Sequence, residues 1–484
     1  MLFRIKLFFL YIIISCNIFA QSGLSWMYEG PPVFHGAQVV GNRPGTPFLF
    51  TVPATGERPI TFSAVGLPDG LHIEPTTGII RGTVQNAGEY PVTITAQNAK
   101  GKSEHVIRLI IGDKLCLTPP MGWNSWNVFA HNIDEKLIME MADAMVNSGM
   151  RDVGYQYINL DDFWHDTARA PDGSPRAHPE KFPRGIKWLA EYVHAKGLKL
   201  GIYSDAGHST CGKCFGSYGY ENKDAAAYAG WGVDLLKYDF CFVPWRKKEA
   251  VKRYARMGEA LRSQPRSIVY SICNWGLFAP WKWGPKVGGN YWRTTPDIVD
   301  SWNRNTIWYG SVMSIIRRQN KLMKYQRQGH WNDPDMLIVG NYGKGKSTSR
   351  SGKYNGLTDT EYQSHFALWA FMNAPLLSSC DLRNMNDVTK NILMNPLLLS
   401  INQDSLASPP VLRGKKRGVW VYEKKLSGGR LAYLLLNTRN RDTRFINVFM
   451  PPDASGTDAI SRREFRGNQT ELPPHGCKVF IIHP

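Results

Sequence analysis

Beyond its first twenty residues the chain has no long apolar run, no long basic tract, no glycine-rich dinucleotide turn and no second Cys-x-x-Cys. Each absence removes a class of function. Without roughly 18 consecutive apolar residues, nothing later in the chain can span a bilayer as a helix. The 58 Lys and Arg exceed the 40 Asp and Glu, for a net charge of +18, but they are scattered in short groups such as Arg246-Lys247-Lys248 and Lys415-Lys416-Arg417. That pattern reads as a solvated basic surface, not a nucleic-acid site. Lacking the glycine-rich turn, the chain has no fingerprint for a dinucleotide. Cys211-Gly212-Lys213-Cys214 has neither a second pair nor nearby paired histidines to complete a zinc site. No metal and no cofactor is expected.

What is present begins with a leader. Arg4 and Lys6 precede an apolar stretch over 7–14, and Ala20 offers a small residue before a cleavage point, so residues 1–20 read as a secretory signal peptide. Ser15-Cys16 is a rival lipoprotein site that would leave Cys16 lipidated; cleavage after Ala20 is preferred. Either route implies a periplasmic or extracellular protein, where disulfides are favoured over thiolate chemistry. Seven of the eight cysteines lie beyond the leader, an odd number, so at least one is free or pairs between chains. Cys211 reads as half of a structural disulfide. The 16 Trp and 21 Tyr stand out in an otherwise ordinary globular composition; aromatic residues serve cores, but a surplus of Trp also suits stacking on sugar rings.

A chain of 484 residues needs two or three domains. Over 21–113 short alternating stretches between Gly and Pro turns, such as Ile60-Thr61-Phe62-Ser63-Ala64 and Tyr90-Pro91-Val92-Thr93-Ile94, predict an antiparallel sandwich with no acid, base or ligand cluster. Over 114–404 strands and amphipathic helices alternate. Strands are expected at 117–122, 155–161, 199–203, 233–238, 268–272, 291–294, 330–337 and 374–378, with helices at 134–149, 184–197, 222–231, 248–263, 303–319 and 359–372. Eight such strands make a (β/α)8 TIM barrel the economical fold, with a doubly wound sheet as the alternative. Beyond 404 the helices cease, and 405–484 reads as an antiparallel β domain. The fold class is therefore multidomain, α/β plus β.

Polar residues collect where the barrel strands end: Trp123-Asn124-Ser125-Trp126, Asp161-Asp162-Phe163-Trp164, Tyr203-Ser204-Asp205, Lys237-Tyr238-Asp239, Cys273-Asn274-Trp275, Arg293 to Asp297, and Trp331-Asn332-Asp333-Pro334-Asp335. Barrel enzymes keep their chemistry on that rim. Asp239 follows Lys237 by two on a strand, so both point to one side and the cation is expected to hold the carboxylate ionised. Such a pair can also be a simple ion pair at a strand end. Carboxylates, one Lys, one Arg and several Trp, without metal or phosphate motifs, are what glycoside hydrolysis requires.

Five ordered stretches carry a resemblance: Thr118 to Trp126, Asn159-Leu160-Asp161-Asp162, Gly201 to Asp205, Lys237-Tyr238-Asp239 and Trp331 to Asp335. Together they are similar to glycoside hydrolase family 27, the α-galactosidase (melibiase) family, from about Leu117 to the C-terminus. The N-terminal segment resembles the immunoglobulin-like modules of secreted bacterial carbohydrate enzymes. The resemblance implies a retaining exo-α-galactosidase acting on terminal α-D-galactosyl groups of oligo- or polysaccharides. It implies Asp239 as nucleophile, Asp297 as acid/base, and Trp126, Asp161, Asp162, Tyr203, Lys237, Cys273, Asn274, Trp275 and Arg293 around the sugar. It also implies a Cys211–Cys241 disulfide. Asp333 and Asp335 are assigned to positioning. Two departures stand out: Phe163 replaces a Cys common in relatives, and Asn274 replaces a Glu. Related activities on β-L-arabinopyranosides or N-acetylgalactosaminides are alternatives, as is a non-catalytic carbohydrate-binding protein. Retention of both Asp161 and Asp162 favours a hexose, and retention of both Asp239 and Asp297 favours an enzyme.

Overall fold

The computed structural model describes residues 24–304, 308–349 and 353–482. The leader expected at 1–20, Cys16 included, lies outside them. Eight parallel strands form one sheet: β1 (Met121–Asn124), β2 (Tyr157–Asn159), β3 (Lys199–Asp205), β4 (Leu235–Asp239), β5 (Val269–Ile272), β6 (Tyr291–Arg293), β7 (Trp331–Asp333) and β8 (Leu376–Ser378). Each pairs with its sequence neighbour up to β7, β1 pairs with β8, and a parallel bridge from Leu337, just beyond β7, to Ser378 closes the ring. The sheet is the expected (β/α)8 barrel. Its interior is tight: a side chain at Gly201 of β3 would run into Asn159 of β2.

The helices form where apolar residues recur at helical spacing. Helix α1 (Glu135–Asn147) buries Leu137, Ile138, Met141, Ala142 and Met145, and its N-cap Asp134 accepts the Leu137 amide at 2.7 Å. Helices α2 (Gly185–Ala195), α3 (Glu221–Trp231) and α4 (Lys247–Arg262) follow β2, β3 and β4. The helix expected over 303–319 starts late. Helix α5 spans Val312–Gln319, because Ser311 accepts the Ser314 amide and caps it there, while Tyr309–Gly310 instead pair with Asp297–Ile298. Between β5 and β6 two single turns, Pro280–Lys282 and Gly284–Val287, stand in for a helix.

The N-terminal module packs a sheet of four strands on a sheet of three around Phe48, Phe50, Phe62, Ile80, Ile94 and Leu109. The sandwich is not wholly antiparallel as expected, since Val39–Asn42 runs parallel to residues 108–111. It sits on the end of the barrel where the strands begin: Thr51 Oγ1 donates to Gly197 O at 2.7 Å, Arg43 Nη2 to Gln264 O at 2.8 Å and Arg81 Nη2 to His194 O at 2.6 Å. Those contacts place it opposite the strand ends that carry the candidate site.

At the other terminus six antiparallel strands form a sheet whose central strands are buried on both faces. Along two of them Val419, Val421, Tyr433 and Leu435 fill the core of this domain, while Trp420, Tyr422, Leu434 and Leu436 join the core of the barrel. The period-two alternation of a strand thus serves two cores. Helix α6 (Asp359–Phe371), lying between them, buries polar Ser364 and His365 along with its apolar residues. No helix among the described residues is long and apolar enough to cross a membrane.

Candidate active site

Register decides which side chains meet. Across β3 and β4, Tyr203 pairs with Lys237 and Asp205 with Asp239. In a parallel pair, partnered residues point the same way, so a phenol, an ammonium and two carboxylates gather at the ends of adjacent strands. Tyr203 donates its hydroxyl to Asp239 Oδ2 at 2.9 Å, and the Phe240 amide donates to Asp239 Oδ1 at 2.9 Å. One strand further, Lys237 Nζ and Asn124 Nδ2 donate to Asp161 Oδ2 at 2.7 and 2.9 Å.

Lys237 therefore corrects the expectation for the strand-end pair: its direct partner is Asp161, and Asp239 receives only its longer-range charge. Burial raises the Asp239 carboxyl; Lys237 opposes, Asp297 adds to the rise and Tyr203 opposes, leaving a pKa of about 6. Asp239 thus remains mostly ionised at neutral pH, though less firmly than the sequence suggested. Burial works against the Lys237 ammonium, but Asp161 and the other anions around it hold its pKa well above the usual lysine range.

The pocket above these strands has a volume of about 70 Å³ and is lined by Trp126, Asp161, Asp162, Tyr203, Cys211, Lys237, Asp239, Cys273, Trp275, Arg293 and Asp297, together with Asn127, Asp335 and Met336. Lys237, Cys273, Arg293, Asp335 and Met336 also line a cavity of about 20 Å³ inside the barrel, and so form the floor between the two. Arg293 reaches Asp297 Oδ1 and Asp335 Oδ2, each at 3.0 Å, and approaches Cys273 Sγ at 3.8 Å. Asp239 is only 6% exposed, whereas the Asp297 side chain is 42% exposed. The two carboxylates thus differ: one lies at the bottom of the pocket and the other towards its mouth.

Asp162 is anchored by amides, accepting from Gly212 at 2.8 Å and Phe163 at 2.8 Å. Phe163 adopts a positive φ of 74° and lies parallel to the Trp126 ring, with centroids 6.2 Å apart. Phe163 thereby braces one wall through Trp126. Cys211 and Cys241 form a disulfide, with Cα atoms 5.2 Å apart, that ties the loops after β3 and β4 beside Asp239. Their sulfurs offer no thiolate to the ion-sized group they make with Asp205 and Asp239. Cys116, Cys214, Cys273, Cys380 and Cys477 are free thiols.

Asn274 is the residue the structure turns away. It is fully buried, its Nδ2 donates to Leu277 O at 2.5 Å, and it does not line the pocket. Its short side chain satisfies the turn after β5 and leaves the wall to Cys273 and Trp275. Sequence reasoning missed Asn127 and Met336 as pocket residues, and neither carries a chemical signature that would have singled it out. Asp335, assigned to positioning, lines the pocket itself. Asp335 accepts the Ile298 amide at 2.7 Å, pairs with Arg293, and is raised by burial to about 7. Asp205, behind Asp239, accepts the Cys241 and Gly207 amides at 2.8 and 2.6 Å. Asp333 Oδ1 accepts the Asp335 amide at 2.9 Å and lies in the inner cavity, below the pocket.

A closed barrel with two dissimilar carboxylates, a lysine, an arginine and aromatic walls at the C-terminal rim has the character of a glycoside hydrolase of the barrel type. Comparison with known proteins narrows the class. The family description "Alpha galactosidase A" matches residues 118–404, and "Putative Ig domain" matches 31–111. The chain belongs to the α-galactosidase (melibiase) family. An alpha-galactosidase A of Cellvibrio japonicus is 46% identical over 77% of this chain and 93% of its own length. The crystal structure of a "putative alpha-galactosidase" from Bacteroides fragilis superimposes with a TM-score of 0.90 at 44% identity, covering 95% of this chain and 99% of the other. Alpha-galactosidase I from Mortierella vinacea superimposes with a TM-score of 0.69 at 34% identity, covering 76% and 97%.

Proposed function

We propose that the protein is an exported, retaining exo-α-galactosidase that removes terminal α-D-galactosyl groups from oligo- or polysaccharides. The observation that carries the reading is the shared pocket of Asp239 and Asp297, one buried and one nearer solvent, with Lys237 and Arg293 beside them. Asp239 attacks the anomeric carbon as the glycosidic C–O bond breaks, and Asp297 gives its proton to the departing oxygen. The glycosyl ester on Asp239 is then cleaved by a water that loses its proton to Asp297, which restores both groups and the original configuration. Trp126, Asp161, Asp162, Tyr203, Lys237, Cys273, Trp275 and Arg293 hold the galactosyl ring. Asp335 and Asp333 position Arg293 and the turn after β7.

Residues 1–20 act as the leader, 21–113 as the immunoglobulin-like module, 114–404 as the catalytic barrel and 405–484 as the C-terminal β domain. The module grips the barrel at the end away from the pocket, which supports a role as spacer or brace. Turnover of p-nitrophenyl α-D-galactopyranoside, followed by NMR of the first-formed anomer, tests the reading. The α-anomer of galactose is expected. A β-anomer would overturn retention, and preferential turnover of the N-acetylgalactosaminide or β-L-arabinopyranoside would overturn the substrate.

A further inference from the structure

Three large aromatic side chains near this site are more than half exposed: Phe242 at 61%, Trp245 at 57% and Trp308 at 64%. None of them belongs to a hydrophobic core cluster or lines the galactosyl pocket. An indole left in water forgoes much of the free energy its burial would give, so two tryptophans so exposed at one place need a reason. Trp245 lies on the loop leaving β4, shortly after Asp239. Trp308 directly precedes Tyr309, which pairs with Asp297 in the two-residue ladder. The indoles meet with ring centroids 6.3 Å apart and planes at 73°. Two separate βα loops, one leaving β4 just after Asp239 and the other carrying Asp297, thus bring a tryptophan to one point.

Position indicates what lies there. Asp297 protonates the oxygen of the leaving group, so the leaving group must depart past Asp297, towards the more exposed side of the pocket. Trp308 stands one residue from the ladder partner of that acid. An edge-to-face pair leaves indole surface open, and the apolar C–H face of a pyranose is complementary to it. We propose that Trp245 and Trp308 form the subsite for the sugar on the leaving-group side of the scissile bond. The substrates are then α-galactosides whose aglycone is itself a neutral pyranose, in an oligosaccharide or polymer. This inference rests on the reading of Asp297 as acid/base.

The test compares melibiose, whose leaving group is a pyranose, with α-D-galactopyranosyl fluoride, whose leaving group has no ring. For each enzyme the ratio of kcat/KM on the two substrates is measured, so the fraction of active enzyme cancels. In Trp245→Ala and Trp308→Ala this ratio should fall about tenfold, the size of loss typical of a well-placed tryptophan contact, with the change mainly in the KM for melibiose. Trp308→Tyr, which retains a ring, should recover part of it. A ratio unchanged in both alanine variants would overturn the proposal, as would a fall in Trp308→Tyr equal to that in Trp308→Ala. Wild-type enzyme inert towards the fluoride and the nitrophenyl galactoside alike would instead overturn the glycosidase reading itself.

Discussion

Tyr203→Phe perturbs one bond to the carboxylate proposed to attack the sugar. The tyrosine hydroxyl donates to Asp239 Oδ2 at 2.9 Å, and both residues are buried. A hydrogen bond to a charged group is worth roughly 1.5–3 kcal/mol. At about 1.36 kcal/mol per pKa unit, its loss raises the Asp239 proton affinity by about one to two units. The sign is set by the hydroxyl's stronger bond to the carboxylate than to the protonated acid. Starting from a pKa of about 6, the acid limb of kcat/KM should move up to about 7–8, since that limb reports the free enzyme. At pH 5 the wild type would retain about a tenth of its plateau, whereas the variant would retain only about a hundredth to a thousandth of its own. The assay is kcat/KM for p-nitrophenyl α-D-galactopyranoside across pH 4 to 9. An acid limb that stays in place or moves to lower pH would refute the reasoning and remove Asp239 as the group titrating there.

Asp239→Ala should abolish turnover of natural substrates, and azide should restore reaction on activated galactosides to give β-galactosyl azide, identified by NMR. Asp297→Ala should spare dinitrophenyl galactosides while losing natural ones; if Asp333→Ala showed that dependence instead, the acid assignment would pass to the end of β7. A crystal structure should place the Asp239 and Asp297 carboxyl groups about 5–5.5 Å apart, whereas about 9 Å would leave room for a water and contradict retention. Breaking the Cys211–Cys241 bond with Cys241→Ser should cost on the order of 3–4 kcal/mol by loop closure, read by urea unfolding, and thiol titration of the unreduced native protein should find neither cysteine free. Burial alone would raise Asp234, but Arg266, His194 and Lys199 hold it down from 3.8 to about 2. It therefore contributes on the order of 2 kcal/mol that is present above about pH 4 and lost as pH falls towards 2. The stability advantage of wild type over Asp234→Asn should shrink across that window, and a constant difference would exclude the ion-pair account.

The sequence by itself determined which strands carry chemistry and at which end. A Val- and Leu-rich stretch such as 233–236, broken only by Asp234 and closing in Lys237, Tyr238 and Asp239, reads as a buried strand whose polar residues emerge at the rim, and the same holds for the strands expected at 155–161 and 199–203. Periodicity records the face on which a side chain lies, and the faces were legible. It does not record the neighbour. Lys237 stands two residues from Asp239 in the chain, yet donates to Asp161, far away in sequence, because barrel closure aligns β2, β3 and β4 and the shorter bond goes across the strands. Asp335 joins the site because Arg293, on β6, is close enough to bridge it to Asp297. Asn274 leaves it because an amide at a tight turn satisfies the backbone three residues on before it can reach a ligand. Only the tertiary structure decided these partners, since each depends on strand register and on the competition between a local hydrogen bond and a long-range charge.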